Sequence, residues 1–241
     1  MRQCSGIVHE IRYEPGSGVG YNLQASTTAA AAAWIACPAE AIPGPGQYVQ
    51  AWSPRDGAAA LATALFPALI EPNGFLAAPP APRGWEPGTL LELRGPIGHG
   101  FHLPGTARRL ALAAFGESTA RLRPVMDQAL QANLAVALFC ALPEQNIPAA
   151  VEIYPIHELS EALQWPDVLI LDIPVEDLAK LRNLLRLKAE DYLPCPTQAL
   201  VATAMPCGGL AECGACFVPG RRTWKQACQD GPVFDLNDLQ W

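Results

Sequence analysis

The chain changes texture once, at GPIGHGFHLPG (residues 95–105), and that change does most to limit its fold. Before it, short alternating or β-rich stretches such as SGIVHEIRY, YNLQAST, GQYVQAW, ALFPALIEP and GTLLELRGP are parted by Gly/Pro turns. AAAAAWIAC is ambiguous, because alanine favours helix while Thr27, Thr28, Trp34 and Ile35 favour strand. PNGF and the proline-rich run from Ala77 to Pro87 read as breaks. Six such strands predict a small antiparallel barrel over residues 1–104. From Arg108 onward the pattern alternates. RRLALAAFG, LAVALFCAL, VEIYP and PDVLILDIP read as strands; STARLRPVMDQALQA, HELSEAL and VEDLAKLRNLLRLKAEDY read as helices. This alternation predicts a trimmed parallel α/β layer of nucleotide-binding type over residues 105–194. Residues 195–241 then form a C-terminal segment with a composition of its own.

That last segment holds four of the eight cysteines. Cys207, Cys213, Cys216 and Cys228 are separated by five, two and eleven residues, with Gly208, Gly209 and Gly214 among them. Thiolates at this density suit a soft metal or an iron–sulfur cluster. Zinc is the structural alternative, since it takes four thiolates in a tetrahedron. Zinc segments usually come as two CxxC knuckles, whereas only Cys213 and Cys216 form one here. Three ligands from one Gly-rich loop and a fourth from downstream resemble the plant-type [2Fe–2S] arrangement, Cx4CxxC…C. Glycines let the backbone wrap a cluster and turn N–H groups toward its sulfurs. Cys4, Cys37, Cys140 and Cys195 are scattered in apolar surroundings and read as small buried hydrophobes.

Composition narrows the function. Half of the 241 residues are hydrophobic and only 16% are charged, which describes a globular chain. A net charge of −7 with no basic cluster argues against a nucleic-acid groove. No apolar run is long enough to cross a bilayer, and MRQCSGIVHEIRYEP has no signal-peptide core. A cytoplasmic protein is the expectation. There is no GxSxG, Walker lysine motif or HExxH, and no acid, base or nucleophile set is visible. Asp172, Glu176 and Asp177 read as a helix-capping cluster, and His99 and His102 as solvent-facing loop residues.

The order of parts, together with Met205, Cys207, Cys213, Cys216 and the terminal run Cys228–Phe234 (CQDGPVF), resembles the electron-transfer subunit of type B dihydroorotate dehydrogenase. That subunit belongs to the ferredoxin–NADP reductase-like family. The resemblance implies that the four cysteines hold a [2Fe–2S] cluster relaying electrons between FAD and the FMN of a catalytic dihydroorotate dehydrogenase partner. It implies a hetero-oligomer with a role in pyrimidine biosynthesis, in which substrate chemistry belongs to the partner. It also matches Gly95, Gly98 and Gly100 to the segment that follows the flavin site.

This sequence departs from the family in three places. The first cysteine loop is one residue longer than usual. The strand that carries Arg-Pro-x-Ser in the family reads LATALFPALI (61–70), without the Arg that would fork a flavin diphosphate. Ser53-Pro54-Arg55 lies nearby but in the wrong order. The glycines expected after the first α/β strand are reduced to Gly116, with Glu117 where phosphate would sit, and LDIPVEDL (171–178) replaces the nicotinamide segment. These changes argue against NAD(P) binding and leave FAD without its usual anchor. A second expectation follows from them: a non-enzymatic Fe–S adaptor or assembly subunit that has lost flavin and nucleotide. The exposed-looking stretch from Leu76 to Trp85 reads as a docking surface.

Overall fold

Alternation of apolar and polar side chains builds the first half of the molecule. In the computed structural model, which describes residues 2–13, 31–54, 61–116, 118–141, 147–188, 191–207 and 209–241, seven strands form one antiparallel sheet. They are β1 (Arg2–Tyr13), β2 (Ala31–Ala36), β3 (Tyr48–Trp52), β4 (Thr63–Leu65), β5 (Pro67–Glu71), β6 (Gly74–Ala77) and β7 (Leu90–Ile97), in the order β4-β3-β7-β1-β2-β6-β5. YNLQAST, Arg55, Glu117 and Gly208 lie outside the described residues.

The sheet's end strands, β4 and β5, are separated by Phe66 alone. One bent chain path therefore pairs with β3 on one side and β6 on the other. The sheet curls back on itself along six strand paths, although among the described residues no pairing joins β4 directly to β5. Val8, Ile35, Val49, Leu65, Phe75, Leu91 and Leu93 fill its interior. Each such side chain contributes about 1.5–3 kcal/mol on burial.

Three local expectations change. The ambiguous alanine run is strand, because Ala31–Ala36 is paired on both edges, by β1 and β6. Tertiary pairing overrides helix propensity here. PNGF is not a simple break: Glu71 pairs with Gly74, so Pro72 and Asn73 make a two-residue hairpin turn and a new strand starts at once. A side chain at Gly74 would strike the carbonyl oxygen of Ile35. The stretch from Leu76 to Trp85 is not an open docking surface, since Ala77 and Trp85 belong to the barrel core.

The second sheet contains β8 (Arg109–Ala114), β9 (Ala135–Cys140), β10 (Val151–Pro155), β11 (Val168–Pro174) and β12 (Thr197–Ala202), all parallel, in the order β10-β9-β8-β11-β12. Helices α1 (Arg123–Gln131), α2 (Leu159–Ala162) and α3 (Leu178–Leu184) lie between them. Side chains of β8 alternate between two cores. Leu110, Leu112 and Ala114 meet α1, while Ala111 and Ala113 share a core with Tyr48, Phe66 and the cysteine segment. The second face of this sheet thus joins barrel, α/β layer and cysteines.

Helix α3 is shorter than the pattern 175–192 predicts. It ends at Leu184, and Arg186 takes φ 55°, a left-handed turn that a helix cannot continue through. β12 was not legible as a fifth strand of the α/β pattern, yet it extends that sheet. The terminal segment adds β13 (Phe217–Val218), β14 (Lys225–Gln226), α4 (Ala227–Asp230) and β15 (Val233–Asp235). β15 pairs antiparallel with β12, so the segment is stitched to the α/β sheet. Among the described residues no helix is long and apolar enough to cross a membrane.

Candidate metal centre

Local backbone conformation gathers the four cysteines. Gly209 (φ +78°), Ala211 (φ 62°) and Gly214 (φ +69°) are left-handed positions inside the loop that carries Cys207, Cys213 and Cys216. Residues in this conformation set successive N–H groups facing inward, a concave arrangement suited to negative charge. The N–H groups of Leu210, Ala211 and Glu212 donate to the Cys207 sulfur, and that of Ala215 to Cys213 Sγ at 3.5 Å. Cys228 arrives on α4, directly after the β13–β14 hairpin. Ala227 N–H donates to the Cys216 carbonyl at 2.9 Å, and Gln226 Nε2 to the Ala211 carbonyl at 2.9 Å.

The thiols fall into two pairs. Cys216 Sγ lies 3.3 Å from Cys228 Sγ, both buried. The Cys213 thiol donates to Cys207, and this pair is more open, with Cys213 exposed. Among the described residues no group of three or more His, Cys, Asp or Glu is placed to hold one metal ion. A mononuclear zinc site needs four donors around one point, whereas a binuclear cluster needs two donors for each of two irons. The two-by-two arrangement of sulfurs, with N–H groups turned toward them, fits the second.

Cys207 and Cys228 differ in acidity. Burial works against a Cys207 thiolate, but the Cys213 thiol and three backbone N–H groups outweigh it and hold Cys207 down to about 6. Burial, the Cys216 thiol and the charges of Cys216 and Cys207 push Cys228 up to about 12, against one N–H bond from Ala211. Cys207 therefore presents a thiolate near neutrality, whereas Cys228 holds its proton until a metal displaces it.

Two barrel residues reach this loop from the same face of β3. Gln50 Nε2 donates to the Met205 carbonyl at 2.8 Å, a buried bond. The Tyr48 ring is fully buried and belongs to the core that contains Cys216, Cys228 and Met205. The sequence reading missed both residues. The available signal was two polar-tipped residues at alternate positions of one strand, on the side that should be apolar.

The other predicted positions serve the chain itself. Gly98 has φ +85°, and a side chain there would collide with Pro232 and Gly231. A Cβ on Gly100 would lie 2.6 Å from the Pro45 carbonyl oxygen, and one on Gly95 2.8 Å from Val49. His99 donates its backbone N–H to Gly231 O at 2.7 Å, and its ring nitrogen is 3.0 Å from Asp230 O. His99 is thus an exposed loop residue, as expected, that also links the loop to the cysteine segment. The GPIGHGF loop docks on the terminal segment and on Pro45.

At the crevice between β8 and β11, where strand order reverses and open α/β sheets place ligands, the chain supplies an ion pair. Arg121 Nε and Nη2 donate to the two carboxylate oxygens of Asp172 at 2.8 and 2.7 Å. Asp172 is wholly buried, and burial pushes its carboxyl up against the pull of Arg121. It caps no helix, which corrects the sequence reading. Asp177 instead pairs with Lys180 at 2.8 Å. The Arg121 guanidinium also sits 5.7 Å from the ring centre of Phe66, a buried residue in the segment where the family forks its flavin diphosphate. With Arg121 committed to Asp172 and no Arg on 61–70, these residues do not fit that diphosphate.

Residues 203–240 match the iron–sulfur cluster binding domain of dihydroorotate dehydrogenase B. The terminal segment is similar to a known cluster-binding domain. No curated protein matches the chain in sequence. By fold the chain is similar to an NADH-dependent reduced ferredoxin-NADP oxidoreductase, at 16% identity and TM-score 0.74 over 98% of this chain and 90% of that one. It is also similar to a ferredoxin reductase in carbazole 1,9a-dioxygenase (18%, TM-score 0.57, 77% and 65% covered). A ferredoxin-NADP+ reductase from Plasmodium falciparum is a third (8%, TM-score 0.57, 79% and 91% covered). The fold is that of ferredoxin reductases, and the resemblance to the dihydroorotate dehydrogenase electron-transfer subunit stands on both fold and terminal segment.

Proposed function

We propose that this chain is an iron–sulfur electron-transfer subunit whose [2Fe–2S] centre is held by Cys207, Cys213, Cys216 and Cys228. The observation that carries this reading is the two-by-two arrangement of the thiols in a segment similar to the cluster domain of dihydroorotate dehydrogenase B. When bound, the cluster supplies one-electron exchange. The chain's own residues do the rest. Cys207 offers the first deprotonated ligand, the N–H groups of residues 210–212 hold negative charge, and the buried Cys216 and Cys228 keep water from one side.

The partner we propose is an FMN-containing dihydroorotate dehydrogenase-type subunit in a cytoplasmic hetero-oligomer, with single electrons passing between a flavin and that partner. It would approach the exposed Cys213, around which Leu210, Phe217 and Trp224 are also exposed. Arg221 and Arg222 stand out beside them on a chain of net charge −7, which favours an acidic partner face. Substrate chemistry, including any step of pyrimidine synthesis, would belong to the partner. We divide the chain for this role at 1–104, 105–194 and 195–241. FAD in this chain would require contacts other than an Arg on 61–70.

The Arg121–Asp172 pair and Phe66 favour a second reading: an Fe–S adaptor that binds neither flavin nor nucleotide. Anaerobic purification followed by iron, sulfide and flavin analysis decides between them. Cluster with flavin supports the relay and cluster alone the adaptor; zinc without iron contradicts both.

A further inference from the structure

Tyr48 presents a polar atom that the folded chain leaves without a partner. Its side chain is 0% exposed, and its hydroxyl oxygen is buried with no hydrogen bond. A buried hydroxyl left unpaired costs stability, so such an atom in a well-packed core calls for an explanation. The ring is fixed by Phe66, at 5.5 Å between ring centres, and by the core containing Ile97 and Met205. A Cβ built on Gly209 would stand 3.5 Å from the hydroxyl oxygen, which places that oxygen against the cysteine loop. Burial, and after it the charges of Cys228, Cys216 and Cys207, weakens the acidity of this phenol. It is a neutral donor set against the cysteine loop.

We propose that the Tyr48 hydroxyl donates a hydrogen bond to a sulfur of the loaded cluster site, and that this bond raises the cluster's reduction potential. The inference rests on the cluster reading above. Reduction adds one negative charge to the cluster, and a donor aimed at its sulfurs stabilises the reduced state more than the oxidised one. Its position on β3 ties the potential to the barrel rather than to the cysteine loop alone. Removing the donor favours the oxidised state.

Tyr48→Phe removes the hydroxyl and little volume. In protein reconstituted with iron and sulfide, its midpoint potential falls, with the one-electron reduction constant changing about tenfold, or about 59 mV. Incorporating 3-fluorotyrosine at position 48 makes a stronger donor and moves the potential upward. Packing alone cannot produce opposite signs from these two replacements. Phe66→Leu loosens the neighbouring ring, keeps the donor and leaves the potential in place. Fe–S stretching bands that shift in D2O in the wild-type protein shift less in Tyr48→Phe. An intact cluster with an unchanged potential in both Tyr48 replacements overturns the bond. Wild-type protein that binds no cluster after reconstitution overturns the cluster reading itself.

Discussion

Replacing Arg121 by Met leaves Asp172 as an unpaired carboxylate in a fully buried position. Breaking a buried pair from one side costs about 3–5 kcal/mol. The two partners are unequal: the Arg121 side chain is 26% exposed and that of Asp172 only 1%. The stranded carboxylate has no route to water, so we expect about 3 kcal/mol or more at pH 8. For a chain of this size that lowers Tm by about 6–12 °C. Asp172→Asn strands the guanidinium instead, which reaches solvent and stays over Phe66, and costs about 1–2 kcal/mol. Arg121→Met combined with Asp172→Leu recovers most of the loss, because neither charge remains.

The dependence on pH gives a second handle. Burial already raises the folded carboxyl of Asp172, and loss of Arg121 raises it further. An acid with a raised folded pKa contributes stability that is complete below its unfolded value, about 3.9, and is lost as pH rises through the folded value. The deficit of Arg121→Met therefore shrinks between pH 8 and pH 5. Urea unfolding of all four proteins at both pH values measures it. A single variant within 0.5 kcal/mol of wild type at about pH 8, or an equal deficit at both pH values, would refute the reasoning.

Other perturbations test other joints. Gly98→Ala meets both a left-handed backbone and the Gly231–Pro232 backbone, so we expect about 2 kcal/mol of destabilisation and reduced cluster occupancy, read by calorimetry and iron content. Gln50→Leu removes the bond to the Met205 carbonyl and leaves that acceptor buried; about 1–2 kcal/mol is lost and the cluster bleaches faster in air. In reduced, metal-free protein, Cys207 is alkylated first, at a rate that rises through pH about 6 as its thiolate forms; peptide mass mapping identifies the site.

The elements with strong periodicity were legible in the sequence. β1, β7, β8, β9 and β11 largely alternate or run apolar, and the structure places each in a sheet. β6 was hidden because its hairpin turn, Pro72-Asn73, looked like a break that ended a strand rather than one that reversed it. β12 was hidden because TQALVA lies between a Cys-Pro pair and the cysteine loop, and its partner strands are distant in sequence. The four cysteines announced themselves by spacing, but their division into pairs required the fold, since it depends on where α4 brings Cys228. Arg121 could not be read at all, and Tyr48 showed only as a polar-tipped residue on a strand side that should be apolar. An unpartnered hydroxyl and a filled crevice are properties of three-dimensional neighbours.

The central claim is that four cysteines hold a binuclear cluster. Electron paramagnetic resonance of the anaerobically purified, dithionite-reduced protein tests it most directly, alongside iron and acid-labile sulfide analysis. We predict the signal of one unpaired electron shared by a reduced [2Fe–2S] centre, with about two irons and two sulfides per chain. Cys216→Ser should remove or reshape that signal, because Cys216 is paired with Cys228 in the buried half of the site. A silent sample that contains zinc and no sulfide would contradict the account.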